Sequence, residues 1–213
     1  MQTDDLIRAL AADVTPVPRS IVARRMFMGI AGGSILALAG IAATIGFRPD
    51  LATAVRGFSF WMKFSYSLSL GLCAIMATRH LSRPESSRSA WLWLFVVPVG
   101  LLAALAATEL AQTPPQLWSA QWFGESWKQC VPRVVLCSLP IFAGLLWAFR
   151  QFAPTQLCLT GLAAGLASGA CAATLYGLHC PEASATFVLS WYTLGIALAG
   201  LIGACFGPRF LRW

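Results

Sequence analysis

Thiols are the residues of this chain with the most evident chemistry. Seven cysteines occur in 213 residues, and because the number is odd, at least one thiol has no partner within the chain. Cys180 stands in the stretch LHCPE, after His179 and before Pro181 and Glu182. Two thiolates and an imidazole would suit Zn²⁺ or Cd²⁺, whereas two neighbouring thiols in an oxidising compartment would form a disulfide. The choice depends on where Cys180 lies and on which second cysteine can reach it.

No other pattern in the chain indicates catalysis. The sequence contains no HExxH, GxSxG or P-loop motif and no paired carboxylates inside an apolar segment. It also lacks the CxxC dithiol that a disulfide-generating membrane oxidase would exchange. We therefore predict that the protein is not an enzyme and has no resident cofactor, apart from transient zinc or heavy-metal binding at its thiols.

The composition indicates that the solvent of this protein is lipid. Apolar residues make up 58% of the chain and charged residues only 11%, about half the charged share of an ordinary soluble domain. The net charge of +7 does not indicate nucleic-acid binding, because a DNA-binding surface clusters its Lys and Arg along one element. Here the arginines stand between apolar runs, and the two lysines, Lys63 and Lys128, are far apart. We predict no direct contact with nucleic acid.

Six apolar runs are long enough to cross the roughly 30 Å hydrocarbon layer of a bilayer. The predicted fold is therefore an all-α integral membrane bundle of six transmembrane helices, with the bilayer as an obligatory partner. The predicted spans are Met26–Phe47, Phe58–Thr78, Ala90–Ala111, Val131–Phe149, Thr155–Leu178 and Ala185–Phe206.

Basic residues predict the orientation of these spans, since Arg and Lys in short loops stay on the cytoplasmic side. With both termini inside, ten arginines are cytoplasmic and four basic residues are outside, which favours an N-in/C-in bundle. The cytoplasmic set is Arg8, Arg19, Arg24, Arg25, Arg79, Arg83, Arg88, Arg150, Arg209 and Arg212, and the outer set is Arg48, Arg56, Lys128 and Arg133.

This topology sorts the cysteines. Five of them fall inside spans, where a thiol usually behaves as a small apolar group: Cys73, Cys137, Cys158, Cys171 and Cys205. Only Cys130 and Cys180 fall at outer ends of spans, so both are expected to face the oxidising periplasm, with Pro181 ending span five and exposing the thiol. The pair would act either as a structural disulfide or as a sensor. His179 would be a third metal ligand or simply an interfacial residue.

Small residues at every fourth position mark spans one, five and six. Such a pattern places the small residues on one side of a helix and lets two backbones approach closely in lipid. We expect a seam between spans five and six, or a contact between copies of the chain in a homo-oligomer. The residues are Gly29 and Gly33, then Gly161, Gly165, Gly169, Ala173 and Gly177, then Gly195, Ala199, Gly203 and Gly207. Lys63, one turn into span two, is expected to extend its amine to the interface.

Residues 1–25 form the predicted cytoplasmic arm, and residues 26–213 form the transmembrane domain. Thr3 can cap a short helix whose first turn contains Asp4 and Asp5, and Leu6, Ile7 and Leu10 would share one side of that helix. The amphipathic helix would either lie on the bilayer or dock its apolar side in a groove of a cytoplasmic protein. Its acidic first turn favours the protein groove.

Several stretches resemble the NrsF family of six-span inner-membrane anti-sigma factors of proteobacteria. They are TDDLIRALAAD near the start, RP at 48–49, SW with Cys130 at 126–130, APT at 153–155, LHCPE, WYTLGI at 191–196 and the final RFLRW. The resemblance implies that the arm, through Asp4, Asp5, Leu6, Ile7 and Leu10, sequesters an extracytoplasmic-function sigma factor and releases it under stress. It also implies that Cys130 and Cys180 take part in the response. The alternatives are a small membrane transporter and a structural membrane subunit with a stapling disulfide.

Overall fold

The computed structural model describes residues 19–81, 92–150 and 156–211. Within these ranges the chain is helical, without a strand. Six long helices follow one another as α1 Arg19–Thr44, α2 Phe58–Leu81, α3 Leu92–Gln112, α4 Trp127–Phe149, α5 Leu157–Tyr176 and α6 Ala185–Leu211. Helix α6 passes through a π-helical turn at Val188–Tyr192 before it continues as an α-helix from Thr193 to Leu211.

All six helices are long and apolar enough to cross a membrane, so the predicted number of spans is confirmed. Two of them begin earlier than the apolar runs suggested, α1 at Arg19 and α4 at Trp127. Arg and Trp are suited to the interfacial layer beyond the hydrocarbon core, so a helix can extend past its apolar run. The predicted amphipathic helix of the arm lies outside the described residues.

Helix α5 is the centre of the bundle. It packs against α6, α2 and α4, while α1 packs mainly against α4, and α3 packs against α2 and the start of α6. Alanine and glycine make up much of α5, and most of its residues are buried. Small side chains leave room for three neighbouring helices around one axis.

The predicted seam between the fifth and sixth helices is confirmed. A methyl group added at Gly161 would overlap the carbonyl of Gly203, and one added at Gly165 would overlap the carbonyl of Ala199. In α1, Gly29 meets the backbone of Gly144 in α4 in the same way. These glycines are therefore used for contacts within one chain.

The connections at one end of the bundle form an ordered layer, which we call the cysteine end because Cys130 and Cys180 lie there. It contains the ends of α1, α3 and α5 and the starts of α2, α4 and α6. A short helix, Leu51–Ala54, joins α1 to α2, and a second, Trp118–Phe123, precedes α4. Residues 178–184, the cysteine loop, join α5 to α6. At the opposite end, Arg150 Nε donates to the carbonyl of Phe210 at 3.0 Å.

Candidate functional site

The structure brings Cys130 and Cys180 into one buried cluster at the cysteine end. Both thiols are free, and both residues are 0% exposed. Cys180 Sγ lies 3.9 Å from Ser126 Oγ, and Ser126 is one helical turn before Cys130, whose backbone N–H donates to the Ser126 carbonyl. The apolar cluster around the pair includes Tyr176 and Tyr192, whose rings lie 6.1 Å apart.

The prediction that Pro181 exposes the thiol of Cys180 is wrong. Pro181 itself is exposed, but the cysteine before it points into the bundle. The backbone of Cys180 still belongs to the end of α5, because its N–H donates to the Tyr176 carbonyl at 3.0 Å. The proline follows this last helical turn and directs the loop across the cysteine instead of away from it.

Lys63, near the start of α2, extends its amine to the loop that closes the cysteine end. The residue is only 2% exposed. The ammonium Nζ donates to the carbonyl oxygen of Cys180 at 3.0 Å and to that of Glu182 at 2.5 Å. A buried ammonium needs hydrogen-bond acceptors because its desolvation is costly, and the cysteine loop supplies two of them.

The Glu182 carboxylate caps the start of α4. Its Oε1 accepts hydrogen bonds from the backbone N–H groups of Glu125 and Ser126 at 2.8 and 3.0 Å and from Ser126 Oγ at 2.9 Å. A carboxylate at this position satisfies free N–H groups and interacts favourably with the helix dipole. Gly124 makes room for it: its φ is +55°, and a methyl group there would overlap the carboxylate.

The Glu109 carboxylate, from α3, has the same role at the start of α6. Its Oε2 accepts hydrogen bonds from the Thr186 N–H at 3.1 Å, from Thr186 Oγ1 at 3.2 Å and from Ser184 Oγ at 3.1 Å. Ser184 in turn accepts a bond from the Phe187 N–H, as expected of an N-cap residue. The final residue of the cysteine loop is therefore held by α3.

His179 bridges α1 and α4. Its Nδ1 lies 2.8 Å from the Gly46 carbonyl and its Nε2 lies 3.0 Å from Arg133 Nη1. A carbonyl only accepts and a guanidinium only donates, so Nδ1 carries the proton and Nε2 accepts from Arg133. Both ring nitrogens of this neutral tautomer are used in holding the cysteine loop.

The predicted zinc or heavy-metal site at Cys130, Cys180 and His179 stays a prediction. Across residues 19–81, 92–150 and 156–211, no three His, Cys, Asp or Glu side chains are close enough together to hold a metal ion. A metal that recruited His179 would have to replace Arg133 at Nε2.

Through these bonds the cysteine loop contacts all six long helices of the bundle. The loop joins α5 to α6 directly, and hydrogen bonds tie it to the end of α1, to α2, to α3 and to the start of α4. Beside it, Arg48 of the α1–α2 connection forms an ion pair with Asp50, and this hydrogen-bonded partner holds the pKa of the Asp50 carboxyl below its ordinary value. A change in the loop can therefore reach every helix.

Sequence reasoning identified the two cysteines of the site but not the roles of three of its charged groups. Lys63, Glu109 and Glu182 all hold the loop or a helix start next to it. The available signal was a charged residue inside or beside an apolar run, which is costly in lipid and usually has a partner. The predicted sigma-binding residues Asp4, Asp5, Leu6, Ile7 and Leu10 lie outside the described residues.

Fold and site together define a class of protein, an all-helical bundle of six helices with the length and apolar character of membrane spans. A family model described as NrsF, Negative regulator of sigma F, matches residues 10–213. The chain belongs to this family, and the resemblance noted from the sequence is confirmed.

Two relatives match along their full length and along the full length of this chain. "Anti-sigma-F factor NrsF" of Caulobacter vibrioides is 43% identical over 215 residues. "Probable anti-sigma-F factor NrsF" of Azospira oryzae is 36% identical over 214 residues. No solved structure matches the chain. These names describe regulators, which agrees with the prediction that the protein is not an enzyme.

Proposed function

We propose that this protein is a membrane-embedded anti-sigma factor. Its N-terminal arm sequesters an extracytoplasmic-function sigma factor at the bacterial inner membrane, and a stress acting on Cys130 and Cys180 releases it. The names of the two relatives and of the family support the anti-sigma role. Six helices of membrane-spanning length support the location. The observation that carries the sensing step is that the cysteine loop joins α5 to α6 and is hydrogen-bonded to α1, α2, α3 and α4.

The charge distribution supports an orientation with the cysteine end in the periplasm. Besides Lys63, the basic residues at that end are Arg48, Arg56, Lys128 and Arg133, whereas the sequence segments expected at the opposite end hold ten arginines. The arm then lies in the cytoplasm, where a sigma factor is found, on the opposite side of the membrane from the thiols.

The signal we propose is an oxidant or a thiol-reactive metal. Oxidation would join the two sulfurs in a disulfide, with two electrons and two protons passing to the oxidant. Cys180 belongs to the loop that bonds Lys63 through the Cys180 carbonyl and Ser126 through the Glu182 carboxylate, so a new covalent bond at its sulfur would act on these contacts. Because close-packed helices change between discrete arrangements, a change of the loop would alter the packing of the helices that lead to the arm.

Cysteine replacement tests this function. We expect Cys130→Ser and Cys180→Ser, alone and combined, to abolish induction of a sigma-dependent reporter by oxidant or by a thiol-reactive metal. The matched control is Cys205→Ser, since Cys205 is exposed on α6 away from the loop, and it should induce normally. If the double variant still responds fully, the thiols do not sense the signal.

A further inference from the structure

We propose that Lys63 is the latch of the cysteine loop: its ammonium holds the loop closed over the two thiols, and the signal acts by breaking its two hydrogen bonds. The hold of Lys63 on the loop is inferred from the geometry of the loop alone. The role of the signal in breaking it rests on the proposed function, and thiol labelling combined with a reporter separates the two.

Burying the charged amine of Lys63 at this position costs desolvation free energy. The only ion pair in the described part of the chain joins Arg48 to Asp50, so the buried ammonium has neutral carbonyl partners. The Glu182 carboxylate is bound to the start of α4, and only the backbone carbonyl of Glu182 meets Lys63. An apolar side chain would fill the same space without the cost of desolvating a charge. Ionisable residues inside membrane bundles are therefore expected to serve a function.

The two acceptors of Lys63 lie on either side of Pro181. Residues 180–182 are thus held by α2 through their backbone, while the Glu182 side chain holds them to α4. Proline has no N–H and cannot donate a backbone hydrogen bond here. Lys63 therefore fixes the backbone of the loop at Cys180 together with the bond from the Cys180 N–H to the Tyr176 carbonyl.

Breaking the latch has a defined consequence for α2. Once the carbonyls of Cys180 and Glu182 move away, the ammonium is left buried without these acceptors and must reach water, which requires the loop to open or the start of α2 to shift. One turn further along α2, Ser67 Oγ donates to the Lys63 carbonyl at 2.8 Å and Thr174 Oγ1 of α5 bonds Ser67 Oγ at 2.9 Å. A shift of α2 at Lys63 is therefore felt by α5, the centre of the bundle.

Site-resolved thiol labelling tests the latch. Cells producing the full-length chain with Lys63→Met, Lys63→Gln or Lys63→Arg would be treated with a membrane-impermeant maleimide, and labelling of Cys180 would be followed by mass spectrometry. We expect Lys63→Met to accelerate labelling by about tenfold, because local opening becomes easier. Lys63→Gln retains two donors and Lys63→Arg retains donors and charge, so both should lie between Lys63→Met and the unaltered chain. Lys128→Met, which replaces an exposed lysine at the same end, should not change the rate.

Two further readouts make each outcome decisive. Cys137, in the middle of α4, serves as an internal control: if its labelling rises together with that of Cys180, Lys63 is a general stability residue and the latch is overturned. An unchanged rate at Cys180 in Lys63→Met overturns it as well, and so does failure of all three variants to accumulate in the membrane. The sigma-dependent reporter is read in the same cells. Faster labelling of Cys180 with a higher uninduced reporter signal supports both the latch and its link to sigma release. Faster labelling with an unchanged reporter signal keeps the latch and overturns that link.

Discussion

At the cysteine end, single carboxylates accept hydrogen bonds from the free N–H groups of helix starts that are distant in the chain. Of the 8 acidic residues in the sequence, Glu109 caps the start of α6 and Glu182 caps the start of α4. Free N–H groups at a helix start are costly in or near lipid, because water is scarce there. The partners are 77 and 56 residues apart in the chain, so no local sequence pattern reveals them. The fold has to be formed before these caps exist.

Replacement of Gly124 tests how closely the Glu182 carboxylate packs at the start of α4. Its positive φ disfavours any residue with a side chain, and a methyl group would overlap the Glu182 carboxylate. We expect Gly124→Ala to lower stability by about 1–3 kcal/mol, measured as the thermal unfolding of the detergent-solubilised protein. Gly100→Ala is the matched control, because a methyl group at Gly100 meets open space within α3, and it should be neutral or slightly stabilising. Equal melting of the two variants would contradict the proposed capping geometry.

The helices themselves were largely predictable, since their existence depends on a local property. A run of about 20 apolar residues is sufficient to indicate a membrane helix, and all six runs correspond to helices. The starts of α1 and α4 were misplaced because a hydropathy run does not include polar or interfacial residues such as Arg19 and Trp127, although the helices continue through them. The π-helical turn at Val188–Tyr192 was not predicted, because an apolar run does not distinguish α-helical from π-helical hydrogen bonding.

The close contact between α5 and α6 can be tested by adding one methyl group to the seam. Gly203→Ala should force the two helices apart, because the added methyl group would overlap the Gly161 carbonyl, a backbone atom that cannot turn away. Overpacking of this kind costs about 1–3 kcal/mol and should reduce the amount of folded protein in the membrane. In Gly32→Ala the methyl group meets open space on α1, so its level should be normal. A normal level of the Gly203→Ala variant would mean that the seam is not needed for folding.

In the whole molecule, one loop of seven residues, 178–184, joins α5 to α6 and is hydrogen-bonded to the other four long helices. The sequence predicted that Cys130 and Cys180 share one end, because charge counting alone can order the spans. It did not predict that the loop closes over the thiols, since this closure depends on the bonds that Lys63 makes with the loop. Because both cysteines are 0% exposed, a reagent can reach them only after the loop opens.

Capture of a sigma factor by the N-terminal arm, and its release, involve the whole chain. If the arm binds through one apolar side of a helix, Leu6→Glu or Leu10→Glu places a charge in an apolar groove, and we expect the sigma factor to be active without any signal and lost from the purified membrane protein. Arg8→Gln, on the other side of the predicted helix, should bind normally. The same constitutive output is expected when Leu10→Glu is combined with Cys130→Ser and Cys180→Ser, because the arm acts after the thiols. If the Leu variants still bind the sigma factor, the binding surface lies elsewhere, and the loop between Arg79 and Arg88 is the next segment to test.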